Sequence, residues 1–339
     1  MNPLHLARCK MFSKLFFSLF GAVFIILFAT GASCKKEKED KTIDEKNIVV
    51  SVMTMGAVGN GIADDTKAFQ KTIDHLATKG GGTVLVPKGK YLIDGDTTVR
   101  IQSHVTLKMD AGAELIAKPT ASQRSYILMV LNATDVNIIG GKIIGDRDVH
   151  LDSTGEWGMG IAVYAGTNVN INGTKIYNCW GDGIVIGSKS GAPYYATNPS
   201  RNVTVKNVVS DNNRRQGITV GKANGVVIDS CVFTNTNGTK PMSGIDIEPD
   251  KDTAQNITIT NSEFSYNKGN GVEIYVNSSS VVRNVTIKNN YLHHNTYGGY
   301  IIRAKNVEFN YNRIIQNKYG PPIKAVDTVN CVFTPNTFQ

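Results

Sequence analysis

The 339-residue sequence predicts an all-β protein, a parallel solenoid in which short strands stack coil upon coil. From about residue 130 onward one phrase recurs: Asn–apolar–x–apolar, a few polar residues, then Gly–apolar–x–apolar, as in "NITITNSEFSYNKGNGVEIY". Repetition at such a period is typical of repeat architectures. The strands are rich in Val, Ile and Thr and are bounded by Asn, Gly or Asp, which favours β-structure. No intervening pattern could supply a crossover helix, so each coil is expected to pair with the next.

Residues 1–33 have the pattern of a secretory signal. A start with three basic residues precedes the apolar run at residues 15–29, and small residues and Cys34 follow. This order defines such signals, and the run is short for a membrane span of about 20 residues. A Cys at the cut site indicates a bacterial lipoprotein signal, although Gly31 stands where the usual motif has a Leu-like residue. We therefore expect lipidation at Cys34.

Residues 34–47 are highly charged and lack apolar periodicity, which predicts a flexible tether. The tether resembles the charged leader behind the lipid-bearing Cys of Bacteroidetes surface lipoproteins. That resemblance implies attachment of the protein to the outer membrane through Cys34, with the folded part facing outward. We expect the protein to be a monomer. Without residues 1–33 the chain has a net charge of about +5. It contains no basic block interleaved with aromatic residues, so nucleic acid is not an expected partner.

The folded domain is predicted to cover residues 48–339 and to begin with a capping α-helix. A solenoid must cover its open ends. The stretch "ADDTKAFQKTIDHLATKGGG" predicts a helix over about residues 64–79, with Asp64 or Asp65 at its N-cap, apolar residues at helical spacing and a glycine stop. The stretch "GTVLVPKGKYLI" then enters the first strands.

This entry segment carries a family resemblance. "MGAVGNGIADDTKAFQKTIDHLATKGGGTVLVPKGKYLI", within residues 53–93, resembles the corresponding segment of pectate-lyase-superfamily proteins. That group includes polygalacturonases, polysaccharide lyases, alginate epimerases and phage tailspikes, and the later coils share its pattern. The resemblance implies a single-stranded, right-handed parallel β-helix. It does not select the reaction, because one fold hosts several chemistries.

The glycines that open one strand of each coil predict the register between coils. They lie at positions 160, 183, 217, 244, 271 and 299. Because side chains alternate along a strand, the second residue after each glycine is predicted to point outward, in the column Ala162, Val185, Thr219, Asp246, Glu273 and Ile301. The fourth is predicted to form a second column, Tyr164, Gly187, Gly221, Glu248, Tyr275 and Arg303. The apolar residues between them, including Tyr300 and Ile302, are predicted to fill the interior.

Asparagines also recur just before these strands. They are predicted to form one stack at tight corners, because Asn tolerates a left-handed backbone and bonds along a stack of like residues. Their positions are 178, 212, 235, 267, 295 and 317.

The columns bring together acids that are distant in the chain. Asp246 and Glu273 are predicted neighbours on adjacent coils, and Glu248 lies beside both. Like charges opposite each other in a sheet are destabilising. One pKa should therefore rise, or a cation such as Ca²⁺ should bind, because oxygen ligands of this kind suit that ion. The three acids are the predicted catalytic and metal-binding core.

Basic and aromatic residues are predicted to line the same face. Arg215 and Arg303 are candidate catalytic bases. The predicted substrate-binding residues are Asp182, Arg214, Tyr164, Tyr275, Trp180 and Lys240, the last on an insert over residues 236–243.

Three functions fit these residues, and we expect an enzyme acting on an acidic polysaccharide, with β-elimination favoured over hydrolysis. The first is β-elimination from a uronic acid: in the pectate-lyase families, acids on neighbouring coils hold Ca²⁺ and an Arg acts as base. The second is glycoside hydrolysis by paired carboxylates, for which "NTNG" faintly resembles the polygalacturonase "NTDG". Asn237 and Asp182 depart from that family's Asp and His. The third is a non-catalytic β-helix that only binds glycan.

Overall fold

The computed structural model describes residues 48–338, which form a right-handed parallel β-helix closed at its N-terminal end by one α-helix. The predicted signal, the tether and Cys34 lie outside the described residues. Between residues 48 and 338, no helix is long and apolar enough to cross a membrane.

The described elements, in chain order, begin with the cap and the first coils. These are β1 (Val49–Ser51), a 3₁₀ helix (Val52–Met55), β2 (Asn60–Asp64), α1 (Thr66–Ala77), β3 (Gly82–Val86), β4 (Gly89–Ile93), β5 (Val99–Ile101), β6 (Val105–Ala117), β7 (Arg124–Leu131) and β8 (Thr134–Ile144). The next coils contain β9 (Trp157–Tyr164), β10 (Thr167–Asn172), β11 (Lys175–Tyr177), β12 (Asp182–Gly187), β13 (Ser200–Lys206), β14 (Val209–Asp211), β15 (Gln216–Val220), β16 (Ala223–Asp229), β17 (Val232–Thr234) and β18 (Ile245–Ile247). The last coils contain β19 (Thr253–Thr260), β20 (Glu263–Ser265), β21 (Val272–Tyr275), β22 (Val281–Lys288), β23 (Tyr291–His293), β24 (Gly299–Ile302), β25 (Lys305–Asn310), β26 (Arg313–Ile315), β27 (Ile323–Val326) and β28 (Thr337–Phe338).

Each regular coil contributes three strands, and every pairing between coils is parallel. Long strands such as β13 and β16 stack on one face, and short strands such as β14 and β17 on the next. The third face, which carries the predicted site, runs β5, β7, β9, β12, β15, β18, β21, β24, β27. Successive coils therefore follow one another along the helix axis in the order of the sequence.

Apolar residues at alternate positions of the third face fill the interior as predicted. Ile184, Ile218, Ile245 and Val272 lie in register on successive strands, and each is fully buried. Burying a side chain of this kind contributes about 1.5–3 kcal/mol. The periodic apolar positions thus hold the solenoid together and turn the intervening residues outward.

The repeated glycines are needed for close packing between coils. A Cβ on Gly217 would lie 2.4 Å from the carbonyl oxygen of Gly244, and one on Gly244 would lie 2.8 Å from that of Gly271. Neither backbone has a positive φ, so space, and not conformation, excludes a side chain.

The capping helix is confirmed, with a shorter extent than expected. Phe69, Ile73 and Leu76 are fully buried against the first coil. Asp64 accepts a hydrogen bond from the Thr66 amide at 3.0 Å. Asp65 instead accepts from the amides of Val58 and Gly59, and so ties the preceding loop to the cap.

The predicted single asparagine stack is wrong, because the structure contains two adjacent stacks. Asn178, Asn212 and Asn235 have a left-handed backbone and lie on the outer side of the corner. Asn267 and Asn295 lie one position further on, are buried, and bond to each other at 2.9 Å. The sequence letters are the same in both stacks, and only the register separates them.

The predicted register is also wrong by one residue at the last coil. Val272 pairs with Gly299, so Gly298 is the glycine that aligns with Gly271. Tyr300 consequently lies beside Glu273 on the outer face, and Ile301 is fully buried in the interior. The doublet Gly298–Gly299 offered two alignments, and packing of Ile301 in the core selects one.

Candidate active site

Two carboxylates lie opposite each other on adjacent strands of the third face. Asp246 of β18 pairs in register with Glu273 of β21, as the sequence predicted for these coils. Neighbouring strands are roughly 4.8 Å apart, so two side chains on the same face at this position lie side by side. Like charges in such a position destabilise a sheet.

Asp246 is the buried member of this pair, with 1% of its surface exposed. Its Oδ2 accepts a hydrogen bond from Gln216 Nε2 at 2.9 Å, whereas its buried Oδ1 has no partner. Burial, together with the nearby charges of Glu273 and Glu248, raises the pKa of Asp246 well above its ordinary value. The raised pKa favours the protonated form, in which the carboxyl group carries no charge in this buried position.

Glu273 accepts more side-chain hydrogen bonds than Asp246 does. Its Oε2 accepts from Ser243 Oγ at 2.6 Å and from Asn270 Nδ2 at 3.1 Å. Burial raises the pKa of Glu273, but these two hydrogen bonds and the charge of Arg215 oppose that rise. The pKa of Glu273 is therefore raised less strongly than that of Asp246, and Glu273 is also the more exposed of the two opposed acids.

Glu248 lines an open cavity of about 540 Å³ together with Asp182, Asp250 and Asp252, whereas Asp246 and Glu273 are not part of the lining. It has no hydrogen-bond donor among the described residues. Burial is the largest cause that raises the pKa of Glu248, and the charges of Asp250 and Glu273 raise it further. Glu248 therefore keeps its proton to a higher pH than an ordinary glutamate while facing open space.

A buried ion pair supports the row of acids from the preceding coils. Arg215 donates to both oxygens of Asp182 at 3.1–3.2 Å, and Thr219 donates to Asp182 at 2.8 Å. Glu156 lies 3.6 Å from the same guanidinium. Burial raises the pKa of Asp182, and the Arg215 charge opposes this. The surrounding acids raise the pKa of Arg215 further above its ordinary value, against the effect of burial, so its guanidinium stays charged.

The far end of the cavity is cationic and aromatic. Arg124 stacks over the Trp157 ring at 3.9 Å, and Lys189 lines the same wall. Burial and the charge of Arg124 lower the pKa of Lys189. Neither cation has an ion-pair partner among residues 48–338. This end can accept a negatively charged group on a ligand.

Several predicted site residues lie elsewhere. Arg303 follows the shifted last strand, is exposed, donates to the Val276 carbonyl and lies 3.9 Å from Asp327. It does not line the cavity. Lys240 is exposed on its insert and is also absent from the cavity wall. Neither residue reaches the place predicted for it, in the first case because of the one-residue register shift.

Trp180 is prevented by its neighbours from stacking on a sugar. His150 stacks on one face of its ring at 4.0 Å, and the Arg214 guanidinium covers a face at 3.8 Å. Arg214 also donates to the Gly155 carbonyl. Trp180 and Arg214 therefore hold the 145–156 loop in place, and the Trp180 ring is buried between its neighbours.

The two predicted tyrosines have different surroundings. Tyr164 lines the cavity with 5% of its surface exposed and meets Tyr126 edge-on. Tyr275 is 38% exposed and pairs with Ile302 on the next coil.

The predicted Ca²⁺ ligands do not converge. Among residues 48–338, no three His, Cys, Asp or Glu side chains are grouped closely enough to hold a metal ion. Asp246 is buried, Glu273 turns Oε2 toward two donors, and Glu248 faces the cavity.

Sequence reasoning missed the residues that tune this site. Gln216, Ser243 and Asn270 occupy the position just before the aligning glycine, and each contacts the acid pair directly or through a neighbour. Reading that position as a column of its own would have found them. Arg124 and Lys189 lie outside the repeated phrase, so no pattern pointed to them.

Comparison with known proteins identifies relatives. A family model described as "Rhamnogalacturonase A/epimerase, pectate lyase-like" matches residues 49–299. The uncharacterized protein YclG of Bacillus subtilis is 28% identical over 66% of this chain and 43% of its own length. Plasmin and fibronectin-binding protein A of Streptococcus pneumoniae is 28% identical over 78% of this chain and 38% of its own. The chain thus spans about half the length, or less, of the curated relatives it matches first.

A solved structure agrees on the fold. The A-module of mannuronan C-5 epimerase AlgE4 from Azotobacter vinelandii superposes with a TM-score of 0.59 at 18% identity, over 83% of this chain and 80% of that one. At this identity the likeness is one of architecture. It confirms the parallel β-helix fold, and the pectate lyase-like resemblance predicted from residues 53–93 is confirmed by the family model.

Proposed function

The chain belongs to the rhamnogalacturonase A/epimerase, pectate lyase-like family, and on that premise we propose that it cleaves the glycosidic bonds of a polysaccharide by carboxylate-based hydrolysis. The observation that carries the proposal is the different environment of Glu273 and Glu248 beside buried Asp246: Glu273 accepts two hydrogen bonds that oppose the rise in its pKa, whereas Glu248 accepts none from the described residues and burial raises its pKa. Such divergence within a pair of acids marks separate acid and base roles.

In this proposal the two acids that reach the surface carry the chemistry. Glu248 protonates the leaving oxygen, because its raised pKa keeps a proton available at the cavity wall. Glu273 acts as nucleophile or base, because Ser243 and Asn270 hold its carboxylate ionised and oriented. Asp246 stays neutral beneath it and so allows one charge, and not two, at the paired position.

The cationic end of the cavity supports an acidic sugar as part of the substrate. Arg124 and Lys189 present positive charge beside the Trp157 ring, whose face a sugar could share. A uronic acid has both the anionic group and the ring that such a wall would accept.

β-Elimination is a weaker candidate than it was from the sequence. Arg215 is a poor base, because it is held charged by Asp182 and Glu156. Arg303 lies away from the cavity. In that reaction Glu273 would serve as the base that removes the proton from a uronic acid.

The test separates the reactions by their products. Purified protein is incubated with polygalacturonate, rhamnogalacturonan and alginate, and new reducing ends and absorbance from unsaturated sugars are measured separately. Hydrolysis predicts reducing ends without absorbance, and a loss of about 10²- to 10⁴-fold in Glu273→Gln. Absorbance that rises together with reducing ends would establish elimination instead. Binding without either product would leave a glycan-binding protein.

A further inference from the structure

Three tyrosines and a lysine form a surface immediately beyond the acid pair, on the side away from the cavity. We call Tyr297, Tyr300, Tyr319 and Lys324 the tyrosine platform. Tyr300 of β24 pairs in register with Glu273, and Lys324 of β27 pairs in register with Tyr300. The platform therefore continues the outward column of the acids by two coils.

The rings of the platform lie against one another on the outside of the helix. Tyr297 stacks on Tyr300 with centroids 5.8 Å apart and planes inclined by 25°, and Tyr319 lies 5.7 Å from Tyr297. Tyr297 and Tyr300 are half-buried and Tyr319 is 47% exposed. The core does not require these rings, because Ile301 and Ile314 fill the interior beneath them.

Lys324 adds a cation to the aromatic surface. Its Nζ lies 5.3 Å from the Tyr300 ring centre and 5.7 Å from that of Tyr297. Within residues 48–338 it makes no ion pair. An aromatic face beside a free ammonium group suits a ligand with a flat apolar face and polar or anionic substituents around its edge.

We propose that the tyrosine platform is a sugar-binding subsite, in which a sugar ring of the same polysaccharide stacks on Tyr300 while Lys324 binds its carboxylate or a hydroxyl. This inference rests on the proposed function for its ligand. The inference is supported by the order of these features along the helix axis: the cavity with Arg124 and Lys189 precedes Glu273, and the tyrosine platform follows Glu273. A polysaccharide bound along this face would then have sugars held on both sides of the bond that is cleaved.

The subsite predicts a dependence on substrate length. Tyr300→Ala is expected to raise KM for long oligosaccharides by about tenfold, the loss of one aromatic contact of roughly 1.4 kcal/mol. It should leave kcat at saturation within about twofold, since Tyr300 only binds. Oligosaccharides that place a bond at Glu273 but are too short to reach the platform should be cleaved equally by both proteins. Lys324→Met should raise KM for acidic substrates more than for neutral ones.

A matched control is available on another face. Tyr311 is 57% exposed with the Lys288 ammonium 5.2 Å from its ring, and it lies outside the platform. Tyr311→Ala should therefore leave KM unchanged. Thermal unfolding of each variant shows whether Tyr300→Ala remains folded.

A binding experiment distinguishes failure of the subsite from failure of the function. The Glu273→Gln variant and the Glu273→Gln, Tyr300→Ala double variant are compared on native gels that contain polygalacturonate, rhamnogalacturonan or alginate. Weaker retardation of the double variant supports the subsite, even if the wild-type protein cleaves nothing. Equal retardation of the two, or equal KM for Tyr300→Ala and wild type at every length, overturns the subsite while leaving hydrolysis untouched.

Discussion

The neutral state of Asp246 can be tested by replacing it with Asn, which has the shape of a protonated aspartate. The Asn oxygen can accept from Gln216 as Asp246 Oδ2 does, and its amide can donate where the protonated Oδ1 would. The substitution therefore removes only the ability to ionise. The expected results concern stability, its pH dependence and turnover.

The stability effect has a defined sign. The fold raises the pKa of Asp246, so between its ordinary and its raised value the unfolded chain has lost a proton that the folded chain keeps. In that window the wild-type free energy of unfolding falls by about 1.4 kcal/mol for each pH unit of increase. Asp246→Asn lacks this loss, whereas Glu273 and Glu248 titrate in both proteins. The Tm of the variant minus the Tm of the wild type should therefore increase by about 2–4 °C for each pH unit of increase in this window.

The assay is thermal unfolding followed by circular dichroism from pH 4 to pH 9. The difference in Tm between variant and wild type should be smallest at the acid end, grow from about pH 4 upward, and then level off. Asp327→Asn, at an exposed carboxylate, is the control and should give a flat difference. Parallel curves for Asp246→Asn and wild type would refute a neutral Asp246.

Turnover gives an independent check. Because Asp246 acts through Glu273, Asp246→Asn should retain activity within about tenfold, against a loss of about 10²- to 10⁴-fold for Glu273→Gln. If the two variants lose activity equally, Asp246 itself transfers the proton and the assigned roles are incorrect.

Three further outcomes follow from the structure. Arg215→Met should lower the free energy of unfolding by about 3–5 kcal/mol, because it leaves Asp182 charged and buried without its partner. The control Arg303→Met, at an exposed position, should change the free energy of unfolding by less than about 0.5 kcal/mol. Denaturant unfolding measures both values. Gly217→Ala should unfold at a clearly lower temperature than wild type, because its Cβ would meet a carbonyl oxygen at 2.4 Å, and an unchanged Tm would contradict this account of the glycine column. Activity on the acid side should fall as pH drops through the raised pKa of Glu273, since its carboxylate must be ionised; a rate that stays constant down to the pKa of an ordinary glutamate would contradict the role assigned to it.

The errors in the predicted asparagine stack and at Gly298–Gly299 show where the periodic pattern stops predicting the register between coils. From Gly160 to Gly271 a single glycine precedes each apolar–x–apolar triplet, and the predicted pairing of Asp246 with Glu273 is confirmed. At Gly298–Gly299 the pattern fits two alignments that differ by one residue, and a shift of one residue reverses which side chains face outward. Burial of Ile301 decides between them, and this exchange brings Tyr300 to the surface beside Glu273.

The sequence by itself determined the β-helix, its capping helix and the meeting of the acids on one face, because these follow from spacing along a repeating chain. The tertiary structure alone decided which acid has the more strongly raised pKa, because that depends on burial and on donors such as Ser243 and Asn270 that come from other positions of the coil. It also decided that Trp180 is covered and that Arg215 is held in an ion pair. Spacing fixes which residues are neighbours, but pKa and access depend on everything packed around them.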